Sequence, residues 1–226
     1  MSGTILGTLT IGQASRADIV PILEAHLPTG MSCLHLGVLD GLSKPEIAER
    51  FTPRPGDAVL TTRLLDGSSV VLGKPAVRAT LQSKLATLEA KGCNVIALLC
   101  TGEFTDLNCR HARLIEPDHL VPPVAAVLAG QDQIGVVVPL AAQVKSEAEK
   151  FKPFARPALF AVASPYVEGL DSVAGAACEL RDAGAKLLLL DCMGFTERHR
   201  EAARAASGLP VVLSNALIAR LLAEIV

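Results

Sequence analysis

Two cysteines stand at matching places in the two halves of the chain. Residues 92–102 read GCNVIALLCTG and residues 184–194 read GAKLLLLDCMG, so the second copy follows the first by 92 positions. In both copies the cysteine comes 8 positions after one glycine and two before another. A thiolate can remove a proton from carbon and a thiol can return one. The duplication therefore predicts that Cys100 and Cys192 act on opposite faces of one carbon, as in racemisation or epimerisation.

The sequence positions of the two cysteines favour reactivity. Each is predicted at the carboxyl end of an apolar strand, and a helix starting there would offer free backbone N–H groups that stabilise a thiolate or bind a carboxylate. Asp191 precedes Cys192, whereas Leu99 precedes Cys100. Because a nearby carboxylate disfavours a thiolate, one hypothesis makes Cys192 the thiol and Cys100 the thiolate. The alternative is that Asp191 caps a loop or pairs with an arginine.

The remaining cysteines are interpreted mainly as small apolar side chains, the usual role of a buried cysteine. They are Cys33, Cys93, Cys109 and Cys178. The spacing of Cys100, Cys109 and His111 does not match a zinc site, so we expect no metal. The sequence has neither a glycine-rich dinucleotide loop nor a phosphate-binding loop, so we expect no cofactor.

Other candidate binding residues follow the first predicted strand and precede the last helix. Gly12 allows close approach of backbone to a ligand, Gln13 can donate and accept, and Arg16 can hold a carboxylate through two hydrogen bonds. The alternative is an ordinary strand-to-helix turn with a solvated arginine. Ser214 and Asn215 either bind ligand or only cap the last helix. Arg198, His199 and Arg200 are interpreted mainly as a solvated helix face.

Strand and helix patterns alternate along the chain, which predicts parallel βαβ units. The predicted strands are residues 4–11, 33–39, 58–65, 69–73, 95–100, 114–116, 134–138, 158–163, 186–191 and 210–213. The predicted helices are residues 17–27, 43–51, 75–91, 121–129, 141–150, 169–183, 196–206 and 216–225. A turn at Asp66-Gly67 predicts a β-hairpin within this pattern. The expected fold is α/β, with two pseudo-symmetric parallel-sheet lobes and a cleft between them. Residues 1–117 plus 212–226 form the N-terminal lobe, and residues 118–211 form the C-terminal lobe.

Composition excludes several classes of function. The chain has 226 residues, of which 50% are hydrophobic and only 3% aromatic, a content typical of buried parallel strands. A net charge of -2 without a basic run gives no support for nucleic-acid binding. No apolar run is long enough to span a membrane, and the N-terminus does not resemble a signal peptide. We therefore expect a cytoplasmic protein with a small-molecule partner.

Four segments resemble the AroM family of the aspartate/glutamate racemase superfamily. They are Thr10-Ile11-Gly12-Gln13 with Arg16, residues 134–139 (IGVVVP), residues 190–195 (LDCMGF) with Arg198-His199-Arg200, and residues 213–220 (LSNALIAR). The resemblance implies two α/β lobes with a cleft between them and one catalytic cysteine from each. Cys100 matches the first of these cysteines and Cys192 the second. Thr101 matches the residue that helps to bind the substrate carboxylate.

The segments after the cysteines also depart from the superfamily pattern. The superfamily commonly has Cys-Asn-Thr at the first cysteine and Thr after the second. This chain has Cys100-Thr101-Gly102 and Met193-Gly194. The departures remove hydrogen-bonding groups and argue against aspartate or glutamate as substrate. Thr101, Gly102, Met193 and Gly194 nevertheless remain candidate substrate-binding residues.

These observations predict a cofactor-independent racemase or isomerase of a small amino or dicarboxylic acid. One alternative is cysteine chemistry resembling that of maleate isomerase or arylmalonate decarboxylase. Another is a non-catalytic protein that binds a small acid for regulation. A homodimer is a further expectation, because racemase-like proteins of this size are often dimers and the hairpin at Asp66-Gly67 offers an interface.

Overall fold

Strands and helices alternate throughout the computed structural model, which describes residues 4–151 and 154–226. The strands are β1 (Ile5–Thr10), β2 (Ser32–Gly37), β3 (Val59–Arg63), β4 (Ser69–Gly73), β5 (Val95–Leu99), β6 (Arg113–Ile115), β7 (Ile134–Val138), β8 (Leu159–Val162), β9 (Leu187–Leu190) and β10 (Val211–Leu213). The helices are α1 (Val20–Glu24), α2 (Lys44–Phe51), α3 (Lys74–Ala90), α4 (Pro117–Ala129), α5 (Val144–Lys150), α6 (Asp171–Asp182), α7 (Glu197–Ser207) and α8 (Ser214–Ala223).

The chain divides into two compact units. Unit 1 comprises residues 1–117 and 219–226, and unit 2 comprises residues 118–218. Unit 1 has a sheet of strand order β2-β1-β5-β6, and unit 2 has one of order β10-β9-β7-β8. All the strand pairs within these two sheets are parallel. The predicted α/β fold with two parallel-sheet lobes is confirmed.

The two sheets have the same topology. In unit 1, β1 and β5 are central, with β2 and β6 at the edges; in unit 2, β7 and β9 are central, with β8 and β10 at the edges. Strands β5 and β9 thus occupy equivalent positions, and each is buried along its whole length. A strand paired on both sides and covered on both faces requires such a continuous apolar run.

Glycines end the helices that lead into these two strands. Gly92 follows α3 with a φ of 89°, and Gly184 follows α6 with a φ of 103°. Only glycine adopts this left-handed conformation without a steric penalty from Cβ. Both turns therefore deliver the chain directly into β5 or β9, as the sequence predicted.

The predicted hairpin is present in unit 1 as the antiparallel pair β3 and β4. Leu60, Leu64 and Leu72 of the hairpin are buried and belong to the same apolar cluster as Cys100. The hairpin therefore packs against the core at the end of β5.

Several helix boundaries differ from the prediction. Pro122 and Pro123, which were expected to open a helix, lie inside α4, because α4 begins at Pro117. Proline is tolerated in the first helical turn, where the missing N–H has no partner in any case. Residues 141–150 divide into one 3-10 turn followed by α5. Ser214 is the first residue of α8 rather than a residue before it.

In the part of the chain that the structure describes, none of the helices has both the length and the apolar character required to cross a bilayer.

Candidate active site

Cys100 follows directly after β5 and is 7% exposed. The backbone N–H of Gly102 donates to Cys100 Sγ at 3.4 Å. Thr101, between them, is also buried. Because a backbone N–H can only donate, this contact favours the thiolate form of Cys100.

The segment after Cys100 is a loop rather than the start of a helix. Residues 101–112 connect β5 to β6, and α3 holds this loop through side-chain contacts to its backbone. Arg78 donates to the carbonyls of Thr105 and Asp106 at 2.6 and 2.9 Å. The Glu89 carboxylate accepts the backbone N–H groups of residues 110–112. The helix-dipole argument made from the sequence therefore does not apply to Cys100.

Gly102 is confined by the hairpin. A Cβ at this position would lie 2.9 Å from Cδ2 of Leu60 and 3.4 Å from Cys100 Sγ. Leu60 and Phe104 are each 3% exposed. An apolar side chain therefore covers the glycine of the first cysteine motif.

Cys192 stands at the equivalent end of β9 and is 8% exposed. Its Sγ lies 3.8 Å from Oη of Tyr166, in the loop after β8, and either atom can donate. A Cβ at Gly194 would come within 2.6 Å of Cε1 and Cζ of Tyr166. Here an amphipathic side chain covers the glycine and reaches the thiol. Helix α7 begins at Glu197, several residues beyond the cysteine.

Asp191 belongs to a buried ionic cluster with Lys150 and Glu147 of α5. Lys150 Nζ lies 2.8 Å from Oδ2 of Asp191 and 2.5 Å from Oε2 of Glu147. Ser214 Oγ donates to Leu190 O at 2.7 Å and lies 3.3 Å from Oδ1 of Asp191. The cationic partner of Asp191 is therefore Lys150 and not the arginine that the sequence suggested.

The cluster changes the proton affinity of its members. Burial raises the pKa of Glu147 to about 7, and the neighbouring Asp191 adds to this effect while Lys150 opposes it. Burial also disfavours the charge on Lys150, but Asp191 and Glu147 outweigh that effect and raise the pKa of the lysine. The Asp191 carboxylate is therefore held beside a cation, which offsets the repulsion that the sequence led us to expect at Cys192.

Asn215 and His199 fix the loop that follows Cys192. Asn215 Nδ2 donates to the carbonyls of Met193 and Phe195 at 2.9 and 2.6 Å. His199 Nδ1 accepts the Thr196 N–H at 2.9 Å in a capping box. Ser214 and Asn215 are both 0% exposed. Asn215 therefore shapes the loop after Cys192, and Ser214 contacts the end of β9 that precedes this loop. His199 is buried and is not part of the solvated helix face that the sequence predicted.

Gly12, Gln13 and Arg16 lie between β1 and the hairpin. A Cβ at Gly12 would meet the Arg63 carbonyl at 2.8 Å, so the close approach at this glycine involves the protein's own hairpin. Gln13 Nε2 donates to Leu42 O at 3.2 Å, and its Oε1 accepts the Leu65 N–H at 2.9 Å. Gln13 therefore holds the hairpin in place.

Arg16 is 5% exposed and is not a solvated arginine. Its Nε and Nη2 donate to the two carboxylate oxygens of Asp18 at 2.8 and 2.7 Å. Its Nη1 donates to Thr62 Oγ1 at 3.1 Å. Gln13, Arg16 and Asp18 line a pocket of about 280 Å³ together with Arg63. A carboxylate in this pocket would have to share Arg16 with Asp18.

Three other cysteines have surroundings that suit structural thiols. Burial raises the pKa of Cys33 and of Cys93. Burial, with the nearby Glu89 and Glu116 carboxylates, raises the pKa of Cys109 to about 11. These shifts disfavour the thiolate that nucleophilic or basic chemistry requires.

Sequence reasoning missed the residues that distinguish the two cysteines. They are Leu60, Lys150, Glu147 and Tyr166. A signal existed for Tyr166, which is the single tyrosine of the chain and lies just after a strand. The spacing of Glu147 and Lys150 suggests a helical pair. Their pairing with Asp191 depends on how α5 packs against β9, which the sequence alone does not provide.

Solved structures with this fold include several racemases and a decarboxylase. Aspartate racemase from Picrophilus torridus has a TM-score of 0.58 and 13% identity, covering 98% of this chain and 95% of that one. A glutamate racemase isoform from Bacillus anthracis has a TM-score of 0.67 and 13% identity, covering 100% and 82%. Unliganded arylmalonate decarboxylase has a TM-score of 0.58 and 13% identity, covering 98% and 93%. At this identity the likeness establishes the fold.

Comparison with curated proteins gave no significant match. The family model described as AroM protein matches residues 6–226, which is nearly the whole chain. The resemblance inferred from the four sequence segments is therefore confirmed, and the protein belongs to the AroM family.

Proposed function

We propose that this protein is a cofactor-independent racemase or isomerase of a small carboxylate, with Cys100 and Cys192 as its acid and base. One observation carries the proposal: the two cysteines follow equivalent central strands of two sheets with the same topology. The racemases that share the fold support the general kind of reaction. The proposal requires that both thiols reach one substrate carbon.

The reaction is a balanced exchange of protons. One cysteine, as thiolate, removes the proton from the carbon next to the carboxylate and becomes a thiol. The other cysteine, as thiol, donates a proton to the opposite face and becomes a thiolate. The carbon is inverted, and the reverse turnover restores the starting state. Proton transfer by a positioned side chain typically increases the reaction rate by about 10²–10⁴-fold.

The contacts of the two thiols support Cys100 as the resting base. Its sulfur accepts the Gly102 N–H, which stabilises a thiolate. The Cys192 sulfur lies beside a hydroxyl that can donate or accept. We propose that the substrate contacts the backbone N–H groups after each cysteine and the residues Thr101, Gly102, Met193 and Gly194. The pocket beside Gln13 and Arg16 is a second candidate site for the substrate carboxylate.

Hydrogen–deuterium exchange tests this proposal. Both enantiomers of aspartate and glutamate, with phenylmalonate, would be incubated in D2O with wild type, Cys100→Ser, Cys192→Ser and Cys178→Ser. We expect deuterium at the acidic carbon of at least one compound with wild type and Cys178→Ser, and at least 100-fold slower inversion with the other two variants. Cys178 is a suitable control because it lies on α6, away from both cysteine motifs in sequence, and its thiol donates to Ala206 O. If no compound exchanges with wild type, the proposal fails and the binding-protein alternative is favoured.

A second candidate function is decarboxylation or isomerisation that depends on a single thiol. The unequal contacts of the two cysteines favour it, because such chemistry needs only one proton donor. In this case loss of carbon dioxide from phenylmalonate would leave a carbanion that the Cys192 thiol protonates. Retained decarboxylation by Cys100→Ser, with none by Cys192→Ser, would support this candidate over the two-cysteine reaction.

A further inference from the structure

Tyr166 lies against both ends of the Cys192-Met193-Gly194 motif. Its Oη is 3.8 Å from Cys192 Sγ, the long separation of a hydrogen bond to sulfur. Its ring covers Gly194 so closely that a Cβ there would come within 2.6 Å of the ring carbons Cε1 and Cζ. Because Gly194 has no side chain, the ring of Tyr166 can lie close enough for its hydroxyl to contact Cys192 Sγ.

The loop after β8 places the tyrosine. The Ala163 N–H donates to Val138 O at 3.0 Å, which extends the pairing of β8 with β7. The Tyr166 N–H donates to Ser164 Oγ at 3.2 Å, which closes a turn around Pro165. Tyr166 is half-buried.

The protonation state of the thiol decides the direction of the hydrogen bond. A free phenol has a pKa of about 10 and a free thiol about 8.5, so the thiol loses its proton first. A hydroxyl can then donate to the thiolate, and it can accept from the thiol when the proton returns. A hydrogen bond to a charged acceptor is the stronger of the two.

We propose that Tyr166 is a positioning residue for Cys192, whose hydroxyl donates to the thiolate and accepts from the thiol. Cys192 then keeps a partner in both protonation states, as a residue that serves alternately as acid and base requires. This role rests on the proposed function, but the pairing itself is measurable on the resting protein without substrate.

Other titratable groups near this end of β9 must be held constant in any test. They are Asp191 directly after β9, Lys150 and Glu147 on α5, and His199 on α7. Replacing Tyr166 by phenylalanine changes none of them and keeps the ring over Gly194. It removes only the hydroxyl.

The first experiment measures alkylation of Cys192 by iodoacetamide between pH 6 and pH 10, with each cysteine peptide quantified by mass spectrometry. We expect Tyr166→Phe to raise the pH midpoint for Cys192 by about half a unit to one unit. Alkylation at pH 7 would then be roughly 3- to 10-fold slower. Cys178, in the same unit, provides an internal control whose profile should not change. An unchanged or lowered midpoint for Cys192 overturns the proposal.

A second readout uses the composition of the chain. Tyr166 is the only tyrosine and there is no tryptophan, so tyrosine emission reports on this residue alone. We expect the emission of wild type to change with the same midpoint as Cys192 alkylation, and that of Cys192→Ala to lack this transition. Gly194→Ala, which displaces the ring but keeps the hydroxyl, should raise the alkylation midpoint as Tyr166→Phe does. Equal emission profiles in wild type and Cys192→Ala would contradict the pairing.

These outcomes are separable from those of the proposed function. If the exchange panel shows no turnover but the midpoint shifts, the pairing stands and the racemase proposal fails. If turnover is found and the midpoint does not move, the racemase proposal stands and the pairing of Tyr166 with Cys192 fails.

Discussion

The ends of β5 and β9 share a cysteine, a glycine two residues later and a place in the sheet, yet their neighbours differ. At the first, Leu99 precedes the cysteine and Leu60 covers the glycine. At the second, Asp191 precedes the cysteine within an ionic cluster, and Tyr166 covers the glycine. The backbone of the motif is thus retained in both copies, while packing partners from other elements determine its electrostatics.

This difference shows how a duplicated scaffold can produce two unequal thiols. The Cys100 sulfur has a contact with a backbone donor, which favours one protonation state. The Cys192 sulfur has a contact with a hydroxyl, which suits both states. Substitutions of the neighbours, rather than of the cysteines, are therefore the sharpest way to test the comparison.

The largest effect is expected from Lys150→Met. The substitution leaves Asp191, which is 2% exposed, buried without its cation. Removing one partner of a buried ion pair typically costs about 3–5 kcal/mol of unfolding free energy. Urea unfolding would measure this loss against Lys145→Met, which changes an exposed lysine on the same helix. Equal stability of the two variants would mean that the cluster is not a structural element of unit 2.

Leu60→Ala tests the apolar counterpart in unit 1. Leu60 is 3% exposed, and truncating such a leucine typically costs about 2–5 kcal/mol through lost contacts and the remaining cavity. We expect a smaller loss than for Lys150→Met and no change in Tyr166 emission. Leu65→Ala is the control, since Leu65 is 67% exposed at the hairpin tip. A Leu60→Ala protein as stable as this control would contradict the packing of the hairpin on the cysteine loop.

Gly194→Ala and Gly102→Ala compare the two glycines directly. The new methyl group meets a tyrosine ring in the first case and the end of a leucine side chain in the second. A leucine methyl moves more easily than a ring, so we expect a loss of about 1–3 kcal/mol for Gly194→Ala and less for Gly102→Ala. Thermal unfolding would measure both. A reversed order would show that the loop after Cys192 adapts more readily than the loop after Cys100.

The last effect is a pH dependence of stability that arises in unit 2. Glu147 has a pKa of about 7 in the folded protein, above its ordinary value of 4.5, so the folded state holds this proton more firmly than the unfolded state does. Stability from Glu147 is therefore present at low pH and is lost as the pH rises from about 5 to above 7. We expect Glu147→Gln to gain stability relative to wild type over this range, by up to about 3 kcal/mol. A constant difference across the range would contradict the shift.

The strands, most helices and the hairpin could be predicted because each has a local signal. Apolar runs, the glycines at 92 and 184 and the turn at Asp66-Gly67 all act within a few residues. The start of α4 was missed because Pro117 satisfies the same first-turn preference as Pro122. Both cysteine positions followed from the repeat. The surroundings of Cys192 did not, because they depend on tertiary packing: Lys150 contacts the neighbouring Asp191 over 41 residues of sequence, and Tyr166 contacts Cys192 over 26.

The two-cysteine reaction is tested most directly by following each enantiomer of the acid that exchanges fastest in the panel. In D2O, wild type should place deuterium in both enantiomers and interconvert them. Cys100→Ser and Cys192→Ser should each lose interconversion by at least about 100-fold and retain exchange from only one enantiomer, opposite in the two variants. Interconversion that persists in either variant, or exchange of both enantiomers by one remaining thiol, would contradict the two-cysteine account.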